Sequence, residues 1–167
     1  MVPVPAAMTL GVFSMSSPIE RDAHPSAVDV VAIGALKARY CRYIDLKRWQ
    51  SLEALFTPDC TFTLDSMDKS EMGNSAQASL TREAFVSMVS EVLVAGSTSV
   101  HHVHSPELTS HNRTEASGIW AMEDYVVSPA RSFRGYGHYI ETYRKSAGVW
   151  RIARWRLDRL RIDTLQT

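Results

Sequence analysis

Leu36-Lys-Ala-Arg-Tyr40-Cys-Arg-Tyr-Ile-Asp45-Leu-Lys-Arg-Trp49 is the stretch on which the reading of this chain turns. It is the second half of a helix that opens at Ser26, where Ser26 and Asp29 form an S-x-x-D start signal. Ile33, Leu36, Tyr40, Tyr43 and Ile44 recur at helical spacing, while Lys37, Arg39 and Arg42 sit off that stripe. The spacing predicts an amphipathic helix of about five turns, ending near Asp45-Leu46-Lys47. Two polar groups stand near its end. A buried Tyr40 needs a partner for its hydroxyl. Asp45 lies where the helix dipole disfavours a carboxylate, so it is a solvated end residue, a cap for the next helix or part of a site. At about 100° per residue the two lie roughly 140° apart, and they share a face only if the helix bends or ends between them.

Downstream, Trp49, Leu52, Leu55 and Phe56 give the apolar face of a short second helix that Pro58 stops. Cys60-Thr61-Phe62-Thr63-Leu64 alternates at period two and reads as a strand. Residues 65–79 have no period and read as a mobile loop placed to serve as a lid. Thr81 caps a third helix, with Leu80 and Phe85 as a staple across the cap. Its buried stripe is Phe85, Met88, Val89, Val92 and Leu93, and Gly96 ends it. Four β-rich segments follow, at about 98–108, 115–127, 134–145 and 149–162. Short turns between them imply antiparallel pairing. The order is that of an α+β fold, with helices on one face of a curved antiparallel sheet. We expect one domain over 25–167 behind a flexible leader, 1–24, with Met8 and Met15 as alternative starts.

Composition narrows the function. A chain of 167 residues with 45% hydrophobic residues can bury one sizeable core. Eighteen basic residues cancel eighteen acidic ones, which argues against a polyanion-binding surface and so against nucleic acid as a partner. No apolar run approaches the roughly 20 residues needed to span a bilayer. The N-terminus lacks a basic residue before Arg21, unlike a secretory signal. Cys41 and Cys60 could pair, but two cysteines in such a chain suit reduced thiols in a cytoplasmic core.

Half of the six histidines fall in Val100-His101-His102-Val103-His104-Ser105-Pro106-Glu107. On a strand His102 and His104 point one way, His101 and Val103 the other. His102, His104 and Glu107 suggest a metal, but the spacing to Glu107 is short and no further ligand is placed. Surface histidines on a sheet are a second reading, and an acid–base histidine in a pocket is a third. Glu123 and Asp124 interrupt an apolar strand, so one of them must face inward unless the strand bulges. His138 follows Gly135 and Gly137, which signal a bend or a close backbone approach. Arg151, Arg154, Arg156, Arg159 and Arg161 crowd the last strand between Trp150, Trp155, Leu157 and Leu160. The balanced charge favours solvent-facing arginines, with one reaching into a pocket, over a nucleic-acid platform.

With these pieces assembled, the chain resembles the SnoaL-like branch of the nuclear transport factor 2-like superfamily. The carrying residues are the opening stretch, Leu52-Glu-Ala-Leu-Phe56-Thr-Pro-Asp59-Cys, the His101-His102 strand, Gly118-Ile-Trp120 and Val149-Trp-Arg-Ile152. The likeness covers about residues 28–163. It implies a cone-shaped α+β barrel whose curved sheet wraps a deep apolar pocket closed by helices. Members similar to scytalone dehydratase and bile-acid dehydratase use a tyrosine and an aspartate from the first helix and a histidine from the sheet. Carried over by spacing, these are Tyr40, Asp45 and His101 or His102, with His101 favoured by its offset from Ser105-Pro106 and Asp124 as a further member. Many relatives have the cone and no known activity.

The resulting expectation is a cofactor-independent dehydratase or isomerase acting on a hydrophobic cyclic oxygenated molecule. His101 would be the base, Asp45 its orienter and Tyr40 the donor to an oxyanion, with Trp120 walling the pocket. No cofactor, resident metal or membrane is expected. The alternative is a non-catalytic module that binds a small molecule or oligomerises through the same cone. The resemblance also implies a homodimer or homotrimer, with Trp150 and Trp155 at the interface.

Overall fold

The computed structural model describes residues 25–64, 79–129 and 132–165. The expected leader lies outside the described residues, as does the expected loop apart from Ser79. Helix α1 spans Ala27–Asp45, and the Ser26 hydroxyl caps it by accepting from the Asp29 N–H at 3.2 Å. Its buried face is Ile33, Leu36, Lys37, Tyr40, Cys41 and Ile44. Lys37 is therefore on the stripe, against expectation, and it is wholly buried. The reason is the width of the face: a helix laid on a curved sheet buries i, i+3, i+4 and i+7, not a single line. Lys47 takes a left-handed conformation (φ 55°), and the Arg48 N–H closes on the Tyr43 carbonyl at 2.8 Å.

Helix α2 is only Trp49–Glu53, because Phe56 already belongs to strand β1, Phe56–Leu64. Pro58 thus sits inside a strand instead of stopping a helix. The ladder allows it, since β1 runs parallel to β6 (Val149–Thr164) with a register shift between Phe56 and Thr61, and a proline is tolerated where pairing is interrupted. Strand β2 (Ser79–Leu80) pairs antiparallel with β1. Helix α3, Arg82–Val92, follows with Thr81 as its cap. Val92, expected on its buried stripe, is half exposed in the last turn.

Strands β3 (Thr98–Ser110), β4 (Glu115–Val127) and β5 (Ser132–Ser146) complete a six-stranded sheet in the order β2-β1-β6-β5-β4-β3. Every neighbouring pair except β1–β6 is antiparallel. Helix α1 packs on β3 and β6, and α3 on β1, so the helices close one face of the curved sheet. This is the α+β architecture the element order predicts. Inside it, Tyr40, Phe56, Phe62, Phe85, Tyr139 and Trp155 interlock, edge-on or tilted, with Phe62 stacked on Phe85 at 4.0 Å.

The two tryptophans expected at an interface are in the core. Trp155 belongs to this aromatic cluster, and the indole of Trp150 donates to Asp29 at 2.8 Å. Cys41 and Cys60 are buried and unpaired. No helix among the described residues is long and apolar enough to cross a membrane.

Candidate active site

Alternation along β3 turns Ser99 and His101 toward the helices and leaves His102 and His104 exposed. His101 meets the end of α1. Asp45 Oδ1 lies 2.6 Å from His101 Nδ1 and accepts from the Ser99 hydroxyl at 2.9 Å, while Oδ2 accepts from the His101 backbone N–H at 3.0 Å. Three donors converge on one carboxylate, so its orientation is fixed. The angular objection to pairing Tyr40 with Asp45 dissolves because α1 ends at Asp45: the last residue reaches sideways to the sheet while Tyr40 points inward from the turn before. With Asp45 accepting at Nδ1, the neutral imidazole carries its proton there and presents the Nε2 lone pair to the interior.

Asp124 is the inward acid of β4, only 3% exposed, and Glu123 faces outward beside Arg134 at 3.3 Å. Asp124 Oδ2 is 4.0 Å from His101 Nε2, too far for a hydrogen bond. Both Asp124 oxygens are taken by Arg159, at 2.6 Å each, in a two-pronged pair. The Nε2 of His101 is thus left free to face a ligand. His102 pairs across the ladder with Glu123 on the outer face, so it does not join this group. His138 also lies on the outer side of the sheet, in register with Asp158. Among the described residues no three His, Cys, Asp or Glu side chains gather as a metal ion would require.

Arg159 is the arginine that reaches inward, and one bulge selects it. Ala153 has no partner on β5, so the inward set of β6 changes phase from Trp150 and Ile152 to Trp155, Leu157 and Arg159. Nothing in the spacing of five arginines marks which one this is. The clue that was present is Gly135. A Cβ there would overlap both the Arg159 guanidinium and the Asp124 carboxylate, so the glycine makes room for the pair.

These groups border a cavity of about 700 Å³. Ile44, Phe85, Val89 and Leu93 wall it from the helices, and Val126, Phe133, Trp155 and Leu157 from the sheet. Its polar members include Tyr40, Tyr139, His101, Asp124 and Arg159. Trp120, expected in the wall, does not line the cavity; it is buried, and its indole donates to the Tyr143 hydroxyl at 2.6 Å. Burial pushes the phenols of Tyr40 and Tyr139 well above their ordinary range, so both are donors at any working pH. Burial works against the charge of Arg159, but Asp124 outweighs it and raises the guanidinium above its usual value.

The comparisons with known proteins agree with this architecture. "Probable cyclase FGR4" of Gibberella zeae is 25% identical over 130 residues, covering 74% of this chain and 86% of the relative. A protein assigned as a scytalone dehydratase from Novosphingobium aromaticivorans superposes with a TM-score of 0.67 at 19% identity, covering 84% of this chain and 89% of its own. The hexachlorocyclohexane dehydrochlorinase LinA-type3 from Novosphingobium barchaimii superposes with a TM-score of 0.67 at 15% identity, covering 83% and 90%. At such identities the structural likeness is one of fold. The model of the SnoaL-like domain matches residues 25–156, so the chain belongs to the SnoaL-like family.

Proposed function

We propose that this protein is a cofactor-independent lyase or isomerase, a dehydratase in the first instance, working by general acid–base chemistry on a hydrophobic cyclic molecule. The observation that carries the reading is the Asp45–His101 pair, whose free Nε2 faces a largely apolar cavity of about 700 Å³. The names of similar proteins, a cyclase, a scytalone dehydratase and a dehydrochlorinase, fit the same kind of chemistry. His101 Nε2 takes a proton from carbon beside a carbonyl. The C–H electron pair moves toward that carbonyl, and the resulting oxyanion is received by Tyr40, Tyr139 or the Arg159 guanidinium. Collapse of the enolate expels a β-hydroxyl, which leaves as water with the proton His101 holds. Asp45 keeps the ring aligned and stabilises the imidazolium formed in between.

The cavity chemistry bounds the substrate to a molecule with one polar edge and an apolar body. The test is turnover of a panel of cyclic aromatic and steroidal hydroxy-ketones by wild type, Asp45→Asn and His101→Ala. The expected result is at least a ~100-fold fall in kcat for either variant. Turnover that survives both substitutions overturns the mechanism.

A further inference from the structure

Beneath the cavity floor lies a charged group that the proposed chemistry does not touch. Lys37 and Glu141 form an ion pair at 2.5 Å with both side chains fully buried. Glu141 is anchored on its far side, because Oε2 accepts from the Tyr143 hydroxyl at 2.6 Å, and Tyr143 in turn accepts from the Trp120 indole. On the near side, Glu141 is the one hydrogen-bond partner of Lys37 among the described residues. The rest of its ammonium meets ring faces: Tyr139 at 3.5 Å and Tyr40 at 4.1 Å from Nζ to ring centre. Both tyrosines border the cavity.

A fully buried ion pair seldom stabilises a fold more than an apolar pair of the same volume would, so stability alone is a poor account of it. What this arrangement supplies is orientation. Glu141 is fixed away from the cavity by Tyr143, and the cation is fixed toward it, against two phenol rings. Burial lowers the lysine from its ordinary range, and Glu141 opposes that by favouring the charged form. A cation on the face of a phenol draws electron density from the ring and makes its hydroxyl a better donor. In a buried interior that influence is weakly screened.

We propose that Lys37 is a positioning residue for the Tyr40–Tyr139 pair: held by Glu141 against both rings, it fixes them and strengthens their hydroxyls as donors to an oxyanion in the cavity. This rests on the reading above that negative charge develops on a ligand oxygen there. It adds what makes two deeply buried phenols effective at that task.

The probe is 4-nitrophenol, a planar phenol whose visible band reports its own ionisation. Wild-type protein is expected to bind it with the phenolate favoured relative to free solution. Lys37→Met should shift the bound phenolate-to-phenol ratio about tenfold toward phenol, which is one pH unit in the bound titration midpoint. Lys37→Arg should recover much of the shift, since charge and not length is the cause. Lys37→Met alone leaves Glu141 unpaired in the interior, so the paired variant Lys37→Met/Glu141→Leu is made beside it. It removes both charges and should show the same shift. In a Tyr40→Phe/Tyr139→Phe background the Lys37→Met effect should vanish, because the path through the hydroxyls is gone.

Three results would each overturn the proposal. One is a folded Lys37→Met or paired variant whose bound midpoint equals that of wild type. Another is a Lys37→Met shift that survives loss of both tyrosine hydroxyls. The last is a wild-type protein that binds no 4-nitrophenol or does not favour its phenolate. The readout needs no turnover. Normal turnover by Asp45→Asn and His101→Ala would sink the lyase reading and leave the nitrophenol result standing, while an unmoved nitrophenol beside intact acid–base catalysis sinks the Lys37 proposal alone.

Discussion

Gly135 shows how much a single absent methyl group decides. The Asp124–Arg159 pair fills the space where a Cβ would stand, and the two cannot coexist. Gly135→Ala should therefore cost about 1–3 kcal/mol, the usual range for overpacking, and should displace the guanidinium from the cavity. Urea denaturation checks the first expectation, and a fall in kcat with any substrate found checks the second. An alanine variant of unchanged midpoint would mean that the pair relaxes without strain. The cysteines give a second residue-scale prediction. Burial pushes Cys41 up to about 11 and Cys60 to about 12, so neither holds a thiolate at neutral pH. Folded protein at pH 8 should release no colour from a thiol-reactive disulfide reagent over hours, and two equivalents on unfolding.

At the scale of elements, the start of α1 is tied to the far end of the sheet. Asp29 accepts from the Lys145 ammonium and the Trp150 indole, both at 2.8 Å, and these bonds hold its carboxyl down at about 2. Its folded value is below the ordinary carboxyl value of 3.8, so the contribution to stability is full above pH 4 and is lost as pH falls toward 2. Asp29→Asn should flatten the acid limb of a stability-against-pH curve in that window and leave the slope near neutrality unchanged. Thermal melts from pH 2 to pH 7 on both proteins measure this. An equally steep acid limb in the variant would assign acid sensitivity elsewhere. The bulges of β6 act at the same scale. Each adds one residue, and one residue is enough to exchange the inward and outward faces. Without the change of phase at Ala153, Trp155 and Arg159 would face solvent.

At the scale of the molecule, helices and sheet share one aromatic core, and the cavity opens where α1, α3 and β3–β6 meet. The outer face carries exposed His102, His104, Val100 and Leu160. We infer from the family resemblance that the protein forms a homodimer or homotrimer. With Trp150 and Trp155 buried, that association has to use other residues. Light scattering should return a mass of two or three chains. A mass of one chain contradicts the inference.

The sequence by itself determined the three helices and five of the six strands in their order, but not the two-residue β2 or the parallel pairing of β1 with β6. Ser26 and Thr81 are local start signals, because a cap needs only its own helix. The His101/His102 alternation was equally legible, since adjacent strand residues must oppose each other. It could not say which histidine faces inward, because alternation has no sign until a partner covers one face. Only the tertiary structure decided that. It also decided that Asp45 reaches His101, that Arg159 of five arginines enters the cavity and that Lys37 is buried. Each depends on a neighbour remote in the chain: Ser99 and β3 for Asp45, Asp124 for Arg159, and Glu141 for Lys37. A charge reads as exposed from its own stretch of sequence, and only its partner across the fold makes its burial affordable.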